Sequence, residues 1–409
     1  MNKNTKIVAA LMSIGMVSPM VYATNGDEMM AVGSQSSALG GTGVAHYMGA
    51  ESTFANPAML GKSVGDEVLG GITLFKPEVT NTGMGGVATK SKANTFYIPD
   101  VSYSSRINDS LSYGVAMAGI AGMGVDFSDG SALTHIKAKS ALSIARVVPT
   151  ISYNTSDYGV GFSPVLQYGS LSLSYAGGAT VNAAEKAETQ TGFGYSFGGY
   201  YNVTPVLVVA ASYQSEIAMK YGTQISDAGA GFGLTGTSAF GNDLNQPAEM
   251  KLGVAYTMSD ITLAADYKSI AWSSAAGYKD FNWKDQTVFA VGAKYAGNGY
   301  WLGLGYNSAN DPISEKSPSA NPANSEYKNA AINFFNNMFF PAIVTNSYTF
   351  GGGYDISKAM SIEAAAVISP EVTKTVDVSA VLVANSLPAG SNTTTHSQSA
   401  YSVSLRYKF

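Results

Sequence analysis

The last residues of the chain read Tyr401-Ser402-Val403-Ser404-Leu405-Arg406-Tyr407-Lys408-Phe409. Large apolar side chains occupy the odd positions, and serine, arginine and lysine occupy the even ones. Because successive side chains of a β-strand point to opposite faces, this segment predicts a strand with one face suited to lipid and the other to a wet interior. The edge strand of a soluble β-sandwich is the alternative, but such a strand normally avoids so apolar an exposed face.

The same alternation recurs along most of the chain and predicts about fourteen strands, an even number as expected for an all-β, antiparallel transmembrane β-barrel in one chain. Closure leaves no unpaired edge in the hydrocarbon layer, where an orphan backbone N–H or C=O costs several kcal/mol. The predicted strands lie near 65–76, 94–105, 111–118, 145–153, 157–168, 190–202, 206–217, 250–256, 261–268, 286–297, 301–306, 346–355, 359–368 and 401–409.

The predicted connections alternate in length, as in bacterial barrels with short periplasmic turns and long outer loops. Asn108-Asp109, Ser156-Asp157 and Ser259-Asp260 are typical of tight turns. The long loops are expected at 122–140, 169–189, 218–247 and 308–345. A terminal strand that ends on Phe409 resembles the assembly signal of outer-membrane barrels, so we expect outer-membrane lipid and the barrel assembly machinery as partners.

The composition agrees with strands that alternate apolar and small polar residues. Only 12% of the residues are charged, whereas Gly (45) and Tyr (25) are frequent. The mean hydropathy of +0.06 and the lack of long apolar runs beyond the N-terminus argue against helical membrane spans. A net charge of −5 argues against a nucleic-acid partner. The absence of Cys excludes disulfides, thiolate metal sites and cysteine nucleophiles.

The N-terminal part of the chain differs from the rest. Residues 1–23 combine Lys3 and Lys6 with an apolar stretch and a small-residue cleavage site, which predicts a signal peptide rather than a membrane anchor. Residues 24–63 are rich in Gly and Ser and do not alternate, and 45–55 are compatible with a short helix. A phosphate-binding loop is disfavoured because no strand precedes Gly40 and no Lys-Ser/Thr pair follows it. We therefore expect a compact segment that fills the lumen of the barrel at 64–409.

An ordered set of short motifs resembles the FadL/TodX family of outer-membrane transporters for long-chain fatty acids and aromatic hydrocarbons. No single motif is specific, but together they extend over essentially the whole mature chain in the family's order. They are Asn25-Gly26, Gly33, Ser37 to Ala45, Asn56-Pro57-Ala58, Gln246-Pro247-Ala248-Glu249, Leu252 to Tyr256, Ala271-Trp272-Ser273, Trp283-Lys284-Asp285-Gln286, Val291 to Tyr295, Pro341 to Val344 and Tyr348 to Tyr354.

The resemblance implies a monomeric, fourteen-stranded barrel whose N-terminal hatch gates the passage. Within that hatch, Gly40, Gly41, Gly43 and the tripeptide Asn56-Pro57-Ala58 are the expected gating residues. It also implies that the ligand binds among the outer loops, moves into a lumenal pocket and leaves after the hatch shifts. An inward kink in one strand of such a barrel can open a lateral exit. Neither the exit route nor the choice among hydrophobic substrates follows from the sequence.

Two groups of residues are candidates for ligand contact. The first is an apolar cluster in the 308–345 loop, which we interpret as irregular; its alternative role is to pack on its own neighbours. The second consists of inward-facing cations that could hold a carboxylate, with Asp266, Lys268, Glu363 and Arg406 on the same face. Such cations alternatively anchor the hatch through salt bridges. The candidates are Phe334, Phe335, Met338, Phe339 and Phe340 in the first group, and Arg146 and Lys251 in the second.

Other function classes have weaker support. His46, His135 and His396 belong to no hydrolase motif, the last two are expected in loops, and no metal-binding pattern occurs, so we expect no enzyme, no cofactor and no metal. A general porin for small hydrophilic solutes is the stronger alternative, although the hatch would obstruct an open pore. A purely adhesive barrel is less favoured still. The sequence thus favours diffusive uptake of hydrophobic compounds across a bacterial outer membrane.

Overall fold

The computed structural model describes residues 24–83, 86–130, 136–177, 180–183, 186–236, 239–317 and 325–409. The predicted signal peptide 1–23 and His135 lie outside these residues. Among the described residues, no helix is both long and apolar enough to cross a membrane.

Fourteen antiparallel strands form a closed barrel, which confirms the predicted fold class. Each strand pairs with the next one along the chain, and the last pairs with the first from Lys408–Glu67 to Thr393–Thr82. The strands are β1 (Glu67–Thr82), β2 (Phe96–Arg106), β3 (Leu111–Asp126), β4 (Lys139–Asn154), β5 (Tyr158–Gly177), β6 (Glu188–Thr204), β7 (Leu207–Gln214), β8 (Glu249–Met258), β9 (Ile261–Ile270), β10 (Gln286–Gly297), β11 (Tyr300–Ala309), β12 (Asn346–Asp355), β13 (Met360–Asp377) and β14 (Ser391–Lys408).

The two faces of β14 are those that the sequence predicts. Tyr401 and Leu405 are 45% and 47% exposed on the outer face, whereas Ser404 and Arg406 are 1% and 4% exposed inside the barrel. Inward-facing polar residues and outward-facing apolar ones alternate in the same way along the other strands. The outer band therefore matches lipid, and the lumen is polar at the wall.

Several strands are longer at the loop end than predicted. Strand β3 continues to Asp126 and β5 to Gly177, so the predicted loops 122–140 and 169–189 begin too early. His396, which we expected in a loop, lies buried in β14. The outward-facing residues of β14 before Tyr401 are Ser and Thr, so this part of the strand carries no apolar side chain that faces lipid. Hydrophobic alternation therefore stops before the backbone ladder does.

The hatch occupies the lumen. It begins with a two-strand hairpin, Thr24–Asn25 with Glu28–Met29, which is followed by helix α1 (Ser34–Ala38). Two 3-10 helices follow, at Ala50–Phe54 and Pro57–Lys62. The expected helix at 45–55 is thus only a short turn near its end, whereas α1 lies in the Gly- and Ser-rich run, where no helix was expected. Packing of α1 against the barrel wall orders that run.

The two ends of the barrel differ, as the loop lengths predict. Tight turns include Ser259-Asp260, where Ser259 adopts a φ of 51°. Within the described parts of the long loops at the other end lie the helices α2 (Gln224–Ala230), α3 (Ser325–Phe339) and α4 (Ser379–Ala384). Helix α3 corrects the interpretation of the 308–345 loop as irregular. Its apolar residues pack on neighbouring loops, and this tertiary burial stabilises the helix despite four Asn residues.

Candidate functional site

The tripeptide Asn56-Pro57-Ala58 fixes the lower part of the hatch to the wall. Asn56 caps the second 3-10 helix, because its Oδ1 accepts a hydrogen bond from Ala58 N at 2.9 Å. Its Nδ2 donates to Val44 O at 2.8 Å and to Gly199 O on β6 at 3.3 Å. A Cβ added to Gly198 would lie 2.0 Å from Asn56 Oδ1, so glycine permits this close approach.

The glycines of the Gly-rich run also allow close packing. Gly40 has a φ of 72°, donates from its backbone N to Thr349 Oγ1 at 2.9 Å and lies against β11. Gly43 N and Val44 N donate to Asp266 Oδ2 at 2.7 and 3.0 Å. Asp266 therefore binds hatch backbone, rather than pairing with a cation on a neighbouring strand.

A second anchor is an ionic cluster around Arg406. The Arg406 guanidinium contacts Glu51 of the hatch at 2.7 Å, Glu67 of β1 at 2.9 Å and Glu363 of β13 at 3.2 Å. All four side chains are buried. One cation and three carboxylates therefore join the hatch to three strands. We call the part of the hatch held by this cluster and by Asn56 the hatch base.

The barrel wall has a window between β2 and β3. In the described part of the chain, their ladder ends at the pair Asp100–Ala118. The two segments meet again where Lys92 N donates to Asp126 O at 2.9 Å. Between these points no described backbone pairing joins the segments, which are 93–99 on one side and 119–125 on the other.

The first residues of the hatch fill this window. Asp27 O accepts a hydrogen bond from Gly122 N at 2.8 Å, and Glu28 forms a bridge pair with Ala121. Met30 packs against Phe96 in a cluster with residues of β1, β13 and β14. We call Asn25–Glu28 the hatch tip. The tip replaces the missing β2 partner and thereby closes the wall.

A cavity lies in the lumen beside the hatch tip. Its volume is about 90 Å³, counted as the space that the centre of a water-sized molecule can occupy. One part of its lining is polar and includes Asn25, Glu28, Arg146, Asp266 and Lys268. The rest is largely apolar and includes Met29, Met30, Val32, Met48, Phe54, Ile120 and Val288.

Arg146 and Lys251, the two cations singled out in the sequence, both line this cavity. Arg146 Nη1 lies 3.7 Å from Glu249, and Lys251 Nζ lies 3.2 Å from the same carboxylate. Lys251 also donates to Phe54 O of the hatch at 3.2 Å. Arg146 Nε donates to Gln167 Oε1 at 2.8 Å, but its buried Nη2 has no partner among the described residues. Lys251 thus contacts the hatch, whereas Arg146 keeps one donor unused.

The apolar candidates Phe334, Phe335, Met338, Phe339 and Phe340 lie together at the end of α3. All five are buried. Phe335 stacks on Phe281 with ring centroids 5.3 Å apart and meets Phe232 edge to face at 5.4 Å. The cluster therefore closes the loop end of the lumen in this conformation, and whether it contacts a ligand stays a prediction.

The sequence did not single out the hatch tip as a functional element. In this tip, Asp27 accepts hydrogen bonds from Gln246 and Tyr278, which lie in two distant loops, and Gly26 lies against Trp272. A sequence signal for the window does exist, since the alternation of β3 gives way after Ala118 to the glycines 119, 122 and 124. Among the described residues, no cluster of three or more His, Asp or Glu side chains could hold a metal.

Solved structures with the same fold include two toluene transporters and a FadL homologue. The toluene transporter TodX of Pseudomonas putida is 19% identical and superposes with a TM-score of 0.67 over 94% of this chain and 100% of its own. A FadL homologue of Pseudomonas aeruginosa is 14% identical, with a TM-score of 0.68 over 94% of this chain and 100% of its own. The toluene transporter TbuX of Ralstonia pickettii is 19% identical, with a TM-score of 0.62 over 93% and 99%. At these identities the likeness establishes the fold.

A curated relative from Chlorobium limicola is an uncharacterised protein from the 5′ region of a phosphoenolpyruvate carboxykinase gene. It is 35% identical over 106 residues, which are 25% of this chain and 51% of the relative, so the alignment covers about half of that protein. A family model described as "Outer membrane protein transport protein (OMPP1/FadL/TodX)" matches residues 23–321. The chain therefore belongs to the OMPP1/FadL/TodX family of outer-membrane transport proteins.

Proposed function

We propose that this protein is a passive outer-membrane channel for hydrophobic compounds, with long-chain fatty acids as the first candidate substrates. The observation that carries the proposal is the position of the cavity, which lies between a hatch that fills the lumen and a window in the wall. A hydrophobic solute can leave such a cavity through the wall. A hydrophilic solute gains nothing from that route.

The path begins at the loop end, where the buried α3 cluster provides aromatic surface for an apolar ligand once the loops open. Displacement of Phe334, Phe335, Met338, Phe339 and Phe340 gives access to the lumen below. The ligand then occupies the cavity beside the hatch tip. Withdrawal of the tip opens the window, and the solute diffuses sideways into the membrane. No step requires a cofactor, an energy source or a reactive group.

Arg146 favours a ligand with an anionic head group. A buried guanidinium N–H without a partner is costly, and a carboxylate can satisfy it with a charge-assisted hydrogen bond. Lys251 also lines the cavity and shares the Glu249 carboxylate with Arg146. The apolar lining then faces the alkyl chain. Neutral aromatic hydrocarbons, which the names of two structural neighbours indicate for those proteins, are the second candidate class.

We also propose an oligomeric state and an assembly route for the channel, and we expect neither nucleic-acid binding nor catalysis. The protein acts as a monomer, is folded into the membrane by the barrel assembly machinery, and binds no nucleic acid. It performs no catalysis, because transport down a gradient needs binding and release alone. A general porin is disfavoured because the hatch contacts β1, β6, β12 and β13 across the lumen.

The experiment is uptake by a deletion strain with and without the plasmid-borne gene, with labelled oleate and toluene offered separately. We expect rescue of oleate uptake, and rescue of toluene alone would move the substrate to the second class. Failure on both, together with restored admission of small hydrophilic solutes, would identify a porin instead.

The α3 cluster is tested by the double variant Phe335→Ala and Phe339→Ala. We expect slower oleate uptake, because the ligand loses aromatic contacts. The amount of folded barrel, measured by heat-modifiable gel mobility, should not change, since both side chains lie in the loop region. Normal uptake in that variant would exclude a role for these two residues in ligand capture.

A further inference from the structure

The hatch tip connects two distant parts of the molecule through one residue, Asp27. Its side chain is buried, and its Oδ2 accepts hydrogen bonds from Tyr278 Oη and from Gln246 Nε2, the latter at 3.0 Å. Both donors lie in long loops at the loop end of the barrel. Its backbone O accepts from Gly122 N in the window. Asp27 therefore holds the loops with its side chain and the window with its main chain.

The neighbouring residue strengthens the contact with the loops. Gly26 has a φ of 71° and lies on the indole of Trp272, where a Cβ would come within 2.6 Å of Cζ2. Trp272 in turn contacts Tyr278 and Trp283, with ring centroids 4.5 and 5.0 Å apart. The tip thus rests on a small aromatic group rather than on a single side chain.

That aromatic group is continuous with α3. Trp283 Nε1 donates to Asn336 Oδ1 at 3.1 Å, and Asn336 Nδ2 donates to Phe281 O at 2.7 Å. Phe281 stacks on Phe335. An unbroken series of buried contacts therefore runs from α3, through the 271–285 loop, to Asp27 and the window.

The tip is held less tightly than the base. Glu28 lies 3.8 Å from Lys268, its nearest cation, and Asn25 Nδ2, Asp27 Oδ1 and Glu28 Oε1 have no partner among the described residues. These unsatisfied buried groups favour departure of the tip, since water would solvate them. The bonds from Tyr278 and Gln246 oppose that departure.

We propose that Asp27 is the positioning residue that couples the loop end to the window: while Tyr278 and Gln246 hold its carboxylate the window stays closed, and displacement of α3 by a hydrophobic ligand releases it. This inference rests on the proposed function, because it concerns the control of the same path. It assigns to Tyr278 and Gln246 the role of keeping the channel closed without ligand.

The test measures the window directly. The chain contains no Cys, so Ala121→Cys places one thiol in the window, where Ala121 is fully buried. The rate of its reaction with a small thiol reagent reports how often the tip leaves. Tyr278→Phe removes the hydroxyl that binds Asp27, and we expect labelling at least about tenfold faster, since a hydrogen bond to a charged group is lost. Asp27→Asn should change the rate in the same direction, but less.

Tyr221→Phe is the matched control. Tyr221 is a fully buried tyrosine in the 215–248 loop, and its hydroxyl has no partner among the described residues. We expect an unchanged labelling rate. Equal rates for wild type, Tyr278→Phe and Tyr221→Phe would overturn the proposal, and so would equal acceleration in both variants, because that would be general loosening of the loops.

Uptake measured on the same variants separates this inference from the proposed function. Faster labelling of the Ala121→Cys thiol in Tyr278→Phe, measured without ligand, supports the coupling. This holds even if the wild type transports neither oleate nor toluene. In that case the coupling stands and the proposed substrates fail. Normal oleate uptake with a labelling rate insensitive to Tyr278 leaves the proposed function intact and excludes Asp27 as the link.

Discussion

The hatch base and the hatch tip belong to one short segment, yet they are held in opposite ways. At the base, Arg406 contacts three carboxylates within 3.2 Å, and Asn56 uses both ends of its amide. At the tip, the ion pair of Glu28 is 3.8 Å long and several buried polar atoms are unsatisfied. Satisfied buried groups make a fixed element, and unsatisfied ones make an element that can leave. We therefore expect one end of the hatch to stay in place and the other to move.

The largest effect is expected from locking the tip to the wall, because the solute can leave through the window only if the tip moves. Glu28 and Ala121 are bridge partners, so their Cα separation falls in the range of a disulfide. In a double variant, Glu28→Cys with Ala121→Cys, we expect oxidation to abolish oleate uptake and reduction to restore it. Each single variant serves as the control. Undiminished uptake by the oxidised protein would mean that the solute does not use the window.

The base is tested next by Arg406→Met, which leaves three buried carboxylates without their cation. Breaking a buried ion pair in this way costs about 3–5 kcal/mol. We expect a large loss of barrel stability in heat-modifiability assays, and admission of small hydrophilic solutes in liposome swelling. Lys358→Met, a change at an exposed turn residue, is the control. A stable variant with a closed lumen would show that the base is not fixed by charge.

A smaller effect is expected from Gly198→Ala, whose new Cβ would meet Asn56 Oδ1 at 2.0 Å. Overpacking of this kind costs about 1–3 kcal/mol. The neighbouring Gly199→Ala is a close control, because its nearest contact lies 3.6 Å away. We expect a lower denaturation midpoint for the first variant and a change below about 0.5 kcal/mol for the second. Equal denaturation midpoints for the two variants would indicate that the contact between Gly198 and Asn56 is not tightly packed.

The smallest and most specific effect concerns Arg146. We expect Arg146→Ala to slow oleate uptake about tenfold more than toluene uptake, because a carboxylate loses a charged hydrogen bond and toluene does not. Arg146→Lys should recover part of the oleate rate. Equal loss for both substrates would instead assign Arg146 to the network that anchors the hatch through Glu249.

The strand pattern, the two faces of β14 and the separate N-terminal segment could all be predicted from the sequence. Period-two alternation is local, and lipid outside with water inside makes the two faces chemically different. Alternation fails where the outer face leaves the lipid, which is why His396 and the loop ends of several strands were assigned wrongly.

The contacts within the lumen could not be predicted from the sequence, because they depend on the closed barrel. Arg406 and Glu51 are separated by most of the chain, and Asp27 meets Tyr278 and Gln246 because the barrel closes around the hatch. The window has the same origin. A strand can leave its neighbour only where another group pairs with its backbone, and that group is the hatch tip. Such pairings depend on closure of the whole sheet, which no local pattern encodes.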